Sequence, residues 1–224
     1  MSRRVVVAAL VAFVVVAPDA ARAAEGTWFG VAGSGGWIKP DADLADYRRD
    51  VHPHAAWGLE GRVGRGPWTL GLRALTAASP QDLGTLGAGG SAVVTDVRTT
   101  RLELVGRRRI ARLGGQSLAA SASAGRARVA FDPGTVAVDD GAGGAIAVTL
   151  APVESWSWGA GLAVERPLSA SWSAGVEGDF GRYAMDTAHR AGEEIVREET
   201  AFTDWGVRLV LGWNTAPTGR GTSQ

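Results

Sequence analysis

The sequence predicts an all-β chain, an eight-stranded antiparallel up-and-down transmembrane β-barrel preceded by a cleavable signal peptide. Three observations carry this. The N-terminus has the tripartite pattern of an export signal, the rest of the chain alternates apolar and polar residues with a period of two, and eight of the nine tryptophans fall on the apolar parity near segment ends.

Arg3 and Arg4 precede an unbroken apolar run over residues 5–17, and Ala21-Arg22-Ala23 then offers the small residues that signal peptidase requires. The run is about thirteen residues long, short of the roughly 20 that span a bilayer as a helix. Cleavage after Ala23 divides the chain into a signal peptide at 1–23, a barrel at 24–215 and a polar tail at 216–224. No later segment is apolar for long enough to cross a membrane as a helix, so membrane residence requires strands. Zero formal net charge gives no electrostatic basis for nucleic-acid binding, and the absence of cysteine removes disulfide and thiol chemistry. Lys39 is the only lysine, whereas soluble sheets commonly cover their edges with lysine.

Taken in order, the first strand covers residues 27–37 with Phe29, Val31 and Trp37 on its apolar side, and a polar stretch follows over 39–53. The second sets Ala55, Trp57, Leu59 and Val63 against Glu60 and Arg62, and Arg65-Gly66-Pro67 supplies a tight turn through its glycine and proline. The third opposes Trp68, Leu70 and Leu72 to Arg73 and Leu75, ahead of a loop at 77–91. The fourth, over 93–106, opposes Leu102 and Leu104 to Arg101 and Glu103, and a basic connection at 107–115 leads to the fifth, over 117–129. Ala, Ser and Gly leave the fifth strand's parity open. With Leu118 outward, Arg126 and Arg128 also point outward and must sit above the membrane; the opposite parity puts both in the lumen. After a Gly- and Asp-rich loop at 132–144, the sixth strand opposes Trp156, Trp158, Leu162 and Val164 to Glu165, and residues 166–169 turn the chain. The seventh opposes Trp172, Val176 and Phe180 to Glu177 and Asp179. A charged loop at 186–200, with room for a helical turn around Glu193 to Glu198, leads to the eighth strand. There Trp205, Val207, Leu209, Leu211 and Trp213 oppose Asp204, Gly206 and Arg208. Connections alternate long and short, as expected of a barrel with long outer loops and short periplasmic turns.

Alternation alone does not say which face is inside, because a lipocalin-like barrel points its apolar set inward. The tryptophans decide it. Trp37, Trp57, Trp156, Trp158 and Trp205 stand beside long loops and Trp68, Trp172 and Trp213 beside short turns, forming two aromatic girdles. From Trp205 to Trp213, at about 3.3 Å per residue and a tilt of about 40°, the height is roughly 20 Å, close to the apolar band of membrane barrels. The lumen then holds Glu60, Glu103, Glu165, Glu177 and Asp179 with Arg62, Arg73, Arg101 and Arg208. A near balance of signs points to mutual pairing, since an unpaired buried ion costs several kcal/mol.

With these features the chain resembles the small eight-stranded outer-membrane barrels of Gram-negative bacteria, the group that includes OmpX, OmpW and the membrane domain of OmpA. The most specific element is the last strand. Asp204, Gly206, Leu209 and Leu211 fit the polar-x-Gly-x-x-apolar-x-apolar assembly signal of that family, although the aromatic Trp213 is followed by a tail where many members end. The resemblance implies an outer-membrane location, contact with outer-membrane lipid and lipopolysaccharide, recognition by the barrel-assembly machinery, and a monomer. It also implies a structural or surface-interaction role through the outer loops, with no cofactor. A narrow channel for small solutes and a soluble exported lipocalin-like barrel are the alternatives.

Catalytic chemistry finds no support. His52, His54 and His189 lie in long loops, and His52-Pro53-His54 with Asp50 is a weak candidate for a metal. The lipid A deacylases, which share this architecture, place a histidine two residues before a serine; no H-x-S occurs here. We expect no enzyme and no metal site.

N-terminal sequencing of the exported protein should return Ala24 as the first residue. The protein should fractionate with outer membranes and migrate differently on gels before and after boiling; a soluble, detergent-independent product would contradict this assignment.

Overall fold

The computed structural model describes residues 26–40, 43–44, 47–49, 53–85, 92–139, 142, 144–149, 151–191 and 194–215. The signal peptide, the polar tail, Asp50 and His52 lie outside them. Eight long strands make the wall: β1 Trp28–Pro40, β2 His54–Arg65, β3 Trp68–Thr85, β4 Ala92–Leu113, β5 Gln116–Asp132, β6 Val153–Pro167, β7 Trp172–Ala191 and β8 Glu194–Asn214. Each pairs antiparallel with its sequence neighbour, and β1 also pairs with β8, so the sheet closes without an edge. At the seam the Thr215 amide donates to the Phe29 carbonyl at 2.7 Å, and the Phe29 amide donates to Thr215 Oγ1 at 3.0 Å.

The pairing fixes the shear. Stepping across the wall from Gly30 through Arg62, Gly71, Val105, Ser123, Gly159, Gly181 and Asp204 returns to β1 at Pro40, ten residues further along. Ten residues of rise over eight strand spacings is a tilt of about 40°. On that geometry Trp37, Trp57, Trp156, Trp158 and Trp205 lie at one level, while Trp68, Trp172 and Trp213 lie at another about 20 Å below. Register and sequence parity agree in putting Phe29, Leu59, Leu70, Leu102, Leu162, Val176, Leu209 and Leu211 on the exposed outer surface between those levels. A soluble lipocalin-like barrel is thereby ruled out: the apolar face points away from the interior.

Tight turns close the end that holds both termini. Gly66, at φ 60°, opens the two-residue turn into Pro67, and Gly114 and Gly115, at φ 55° and 84°, make the next. Left-handed backbone of this kind favours glycine, and glycine-led turns match the twist of paired strands.

The opposite end departs from expectation. Residues 194–198 are strand, not a helical turn, because β7 and β8 stay paired up to Ala191↔Glu194. Likewise β3 and β4 continue past the band to Thr85↔Ala92. Both hairpins rise about 20 Å above the upper aromatic level, on opposite sides of the barrel. The expected loop at 132–144 contains part of a small hairpin, Thr135–Asp139 with Ala145–Thr149, and Asp43–Leu44 and Tyr47–Arg49 add short strands beside β3.

Depth on the outer face should decide tolerance to charge. Leu209→Arg, near the middle of the band, should cost about 2 to 4 kcal/mol in vesicle refolding, whereas Leu113→Arg, equally exposed but beyond the lower aromatic level, should cost about 0 to 1. Equal losses would contradict the assigned band.

Candidate functional site: a charge-filled lumen

The inward parity of the eight strands delivers Glu60, Arg62, Arg73, Arg101, Glu103, Glu177, Asp179 and Arg208 to the barrel interior, all buried. Glu165 joins them at the turn end, where its side chain keeps 27% exposure. Two further members come from outside the expected set. Arg107 is buried, although the sequence assigned it to a basic connection; β4 continues to Leu113, and the parity of Arg101, Glu103 and Val105 carries Arg107 inward. Asp204, expected as part of an assembly signal, is also buried inside. Among the described residues the lumen therefore gathers five guanidiniums and six carboxylates.

The pairs form a ladder along the barrel axis. At the turn end, Arg62 Nη1 donates to Glu165 Oε1 at 3.0 Å, and Trp28 lies against the same guanidinium at 5.7 Å. Trp28 is the one tryptophan on the inward parity. Above it, Arg107 binds Glu60 with both terminal nitrogens, one bond to Oε2 measuring 2.8 Å, and donates to Glu177 Oε2 at 3.0 Å. Arg73 bridges Glu177 at 2.7 Å and Glu103 at 2.8 and 3.2 Å. Arg208 sits 2.9 Å from Asp179 and 3.4 Å from Glu177 without the alignment of hydrogen bonds, so charge alone holds that level. Arg101 donates to Asp204 at 3.1 Å and lies 3.7 Å from both Glu103 and Asp179. Each acid thus meets at least one base, as buried ions require.

Small residues make the space. A Cβ at Gly181 would strike the Arg101 guanidinium and the Asp204 carboxylate, so glycine there lets the pair reach across. Toward the long-loop end the ladder gives way to an apolar cluster of Val97, Ala127, Val129, Tyr183 and Phe202, with the Tyr183 and Phe202 rings 5.9 Å apart. Beside it His54, Ser79, Thr99, Tyr183 and Asp204 line a cavity of about 20 Å³. His54 faces this interior and not a solvated loop, and the described residues hold no cluster able to bind a metal ion.

The fifth strand resolves in favour of the first parity. Ser121, Ser123, Ala127 and Val129 face inward, and Arg126 and Arg128 are exposed on the outer face. Arg126 stacks 5.2 Å over Trp156 and approaches Glu154 at 3.8 Å. At the other girdle Arg108 lies 5.3 Å over Trp68.

A closed wall with an apolar belt outside and ions inside defines a membrane-spanning β-barrel, and its fold is that of the small outer-membrane barrels of Gram-negative bacteria. Among solved structures it is similar to Neisserial surface protein A, with a TM-score of 0.55 at 8% identity, covering 84% of this chain and 99% of that one. It is also similar to outer membrane protein W of E. coli, at 14% identity and a TM-score of 0.47 over 86% of this chain and 100% of that one. OprG from Pseudomonas aeruginosa matches at 10% identity and 0.47 over 86% and 97%. The sequence matches no family model and no curated protein.

Arg107 offers the sharpest test of the ladder. Arg107→Ala should destabilise the refolded barrel by about 3 to 5 kcal/mol because Glu60 is left without its guanidinium, and adding Glu60→Ala should recover much of the loss. A double-mutant cycle in urea that shows simple additivity would place Arg107 outside the network.

Proposed function

We propose that the protein is a non-conducting outer-membrane barrel whose work is done at its outer end, in a structural or surface-interaction role. The observation that carries this is the filled lumen. Long side chains of both signs bridge strands on opposite sides of the barrel, and an apolar cluster follows above them, so a solute would have to break paired ions to pass. The two tall hairpins, β3–β4 and β7–β8, add support, because paired backbone carried about 20 Å past the bilayer contributes nothing to spanning it and presents side chains to the exterior.

On this reading the last strand, with Asp204, Gly206, Leu209 and Leu211, is what the barrel-assembly machinery engages, and the exterior partner is bound by the hairpins. Asp204 then has two roles, one during insertion and one in the folded lumen. The channel alternative has no comparable observation in its favour.

Planar-bilayer recording tests the proposal. The unmodified protein should give no steady conductance, while Arg73→Ala combined with Glu103→Ala and Glu177→Ala should open a measurable leak. Reproducible unitary conductance from the unmodified protein would overturn the closed lumen.

A further inference from the structure

The ladder charges are not spread evenly round the wall. β1 turns Ala32 and Ile38 inward and β5 turns Ser121, Ser123, Ala127 and Val129 inward, and among the described residues neither strand brings a charged side chain into the ladder. In the closed wall β1 and β5 are equally far apart by either route, so these two neutral strands stand opposite each other. The charges therefore fall on two three-stranded faces, β2–β4 and β6–β8, that look at each other across the lumen.

The faces differ in sign. On β2–β4 the ladder has Glu60, Arg62, Arg73, Arg101, Glu103 and Arg107, a net charge of +2, and on β6–β8 it has Glu165, Glu177, Asp179, Asp204 and Arg208, a net charge of −3. Neither face can neutralise itself. Within the first, Glu60 and Glu103 serve four guanidiniums, and within the second Arg208 is the one base among four carboxylates. The remainder is met across the lumen: Arg62 reaches Glu165 at 3.0 Å, Arg73 and Arg107 reach Glu177 at 2.7 and 3.0 Å, and Arg101 reaches Asp204 at 3.1 Å. Every guanidinium of the first face thus has a carboxylate on the second. Filling the lumen requires only local balance, which pairs on neighbouring strands would supply. Opposite net charge on the two faces is an additional property, and it follows the chain: β2–β4 precedes the Gly114-Gly115 turn and β6–β8 comes after it.

We propose that this polarity steers closure of the barrel: the lumen is an interface through which the first half of the chain recognises the second by charge. Before closure both faces are hydrated, and attraction between them acts over a Debye length, about 30 Å at 0.01 M salt and about 3 Å at 1 M. At low salt it reaches across the narrow lumen and draws the two faces together. Like faces of two chains repel, which disfavours mispaired sheets. Once the wall has closed, the same charges lose their water and are held by the pairs of the ladder.

Folding of the mature full-length chain from urea into neutral phosphatidylcholine vesicles, read as the appearance of the heat-shifted gel band, tests this. The parent should fold about tenfold more slowly at about 1 M salt than at about 0.01 M. Arg62→Glu with Glu165→Arg keeps the ion pair and the total charge but leaves the faces at net 0 and −1. At low salt it should fold about as slowly as the parent does at high salt, with little response to salt, while its unfolding rate in urea stays within about twofold of the parent's. Glu60→Gln with Arg107→Gln removes an ion pair within one face, leaves the faces at +2 and −3, and should keep the parent's salt response. Three results overturn the proposal: a parent rate indifferent to salt, an exchange variant with the parent's rate and salt response, or a Glu60, Arg107 variant that loses the response as fully as the exchange variant. If the exchange variant folds at no salt concentration, Arg62→Gln with Glu165→Gln decides. Its faces, at +1 and −2, should give a smaller salt response than the parent's, and an unchanged response overturns steering.

Discussion

Pairing of buried charge inside the wall is the constraint on which the rest of the structure depends. With an apolar outer face given over to lipid, the inward parity is what remains to fill the cylinder, and eight strands sheared by ten residues leave width for little beyond side chains. Arg101 and Arg208 are among the most completely buried large side chains of the molecule. Each would cost several kcal/mol alone, and each is tolerable because carboxylates from other strands arrive at the same height. The ladder links β2, β3, β4, β6, β7 and β8 across the lumen, so it ties together strands that share no backbone hydrogen bonds. Shear is what brings them level: Arg107 meets Glu60 two strands away because the register sets them at nearby heights.

Much of this was legible in the sequence because lipid imposes a strict period. Within the band every second residue must be apolar, so Trp205 to Trp213 or Ala55 to Val63 state their own faces. Legibility fails where lipid no longer dictates the outer residue. Beyond the upper girdle β7 and β8 lose the apolar alternation, and a Glu-rich segment with helix propensity reads as a loop or turn; backbone pairing with the partner strand overrides that propensity. At the lower girdle the same failure hid Arg107. Its neighbours Arg108 and Arg109 make a basic run, and a bulge between Arg109 and Ala111 interrupts the register, yet counting by twos from Arg101 reaches Arg107 directly. The fifth strand was undecidable alone, since Ala and Ser suit either face, and pairing with both neighbours turns Ser121 and Ala127 inward and sets Arg126 on Trp156.

The two surfaces divide the protein's chemistry. Inside, charges neutralise one another and leave little to offer a solute, and the apolar cluster around Phe202 stands between them and the exterior. Outside, an apolar belt lies between the two aromatic levels, and exposed basic residues, Arg126 stacked on Trp156 among them, stand at its upper edge. The first arrangement favours a closed wall and the second a surface that faces lipid, and both follow from one alternation read on its two faces.

Solvent exchange of the Arg73 Nε proton, followed by NMR in the folded barrel, tests the filled lumen most directly. That proton is donated to Glu103 at 3.2 Å inside the ladder, whereas the Arg65 side chain is exposed at a turn. The account predicts exchange at Arg73 far slower than at Arg65. Equal rates at the two sites would mean that water runs through the barrel and that the charges line a pore.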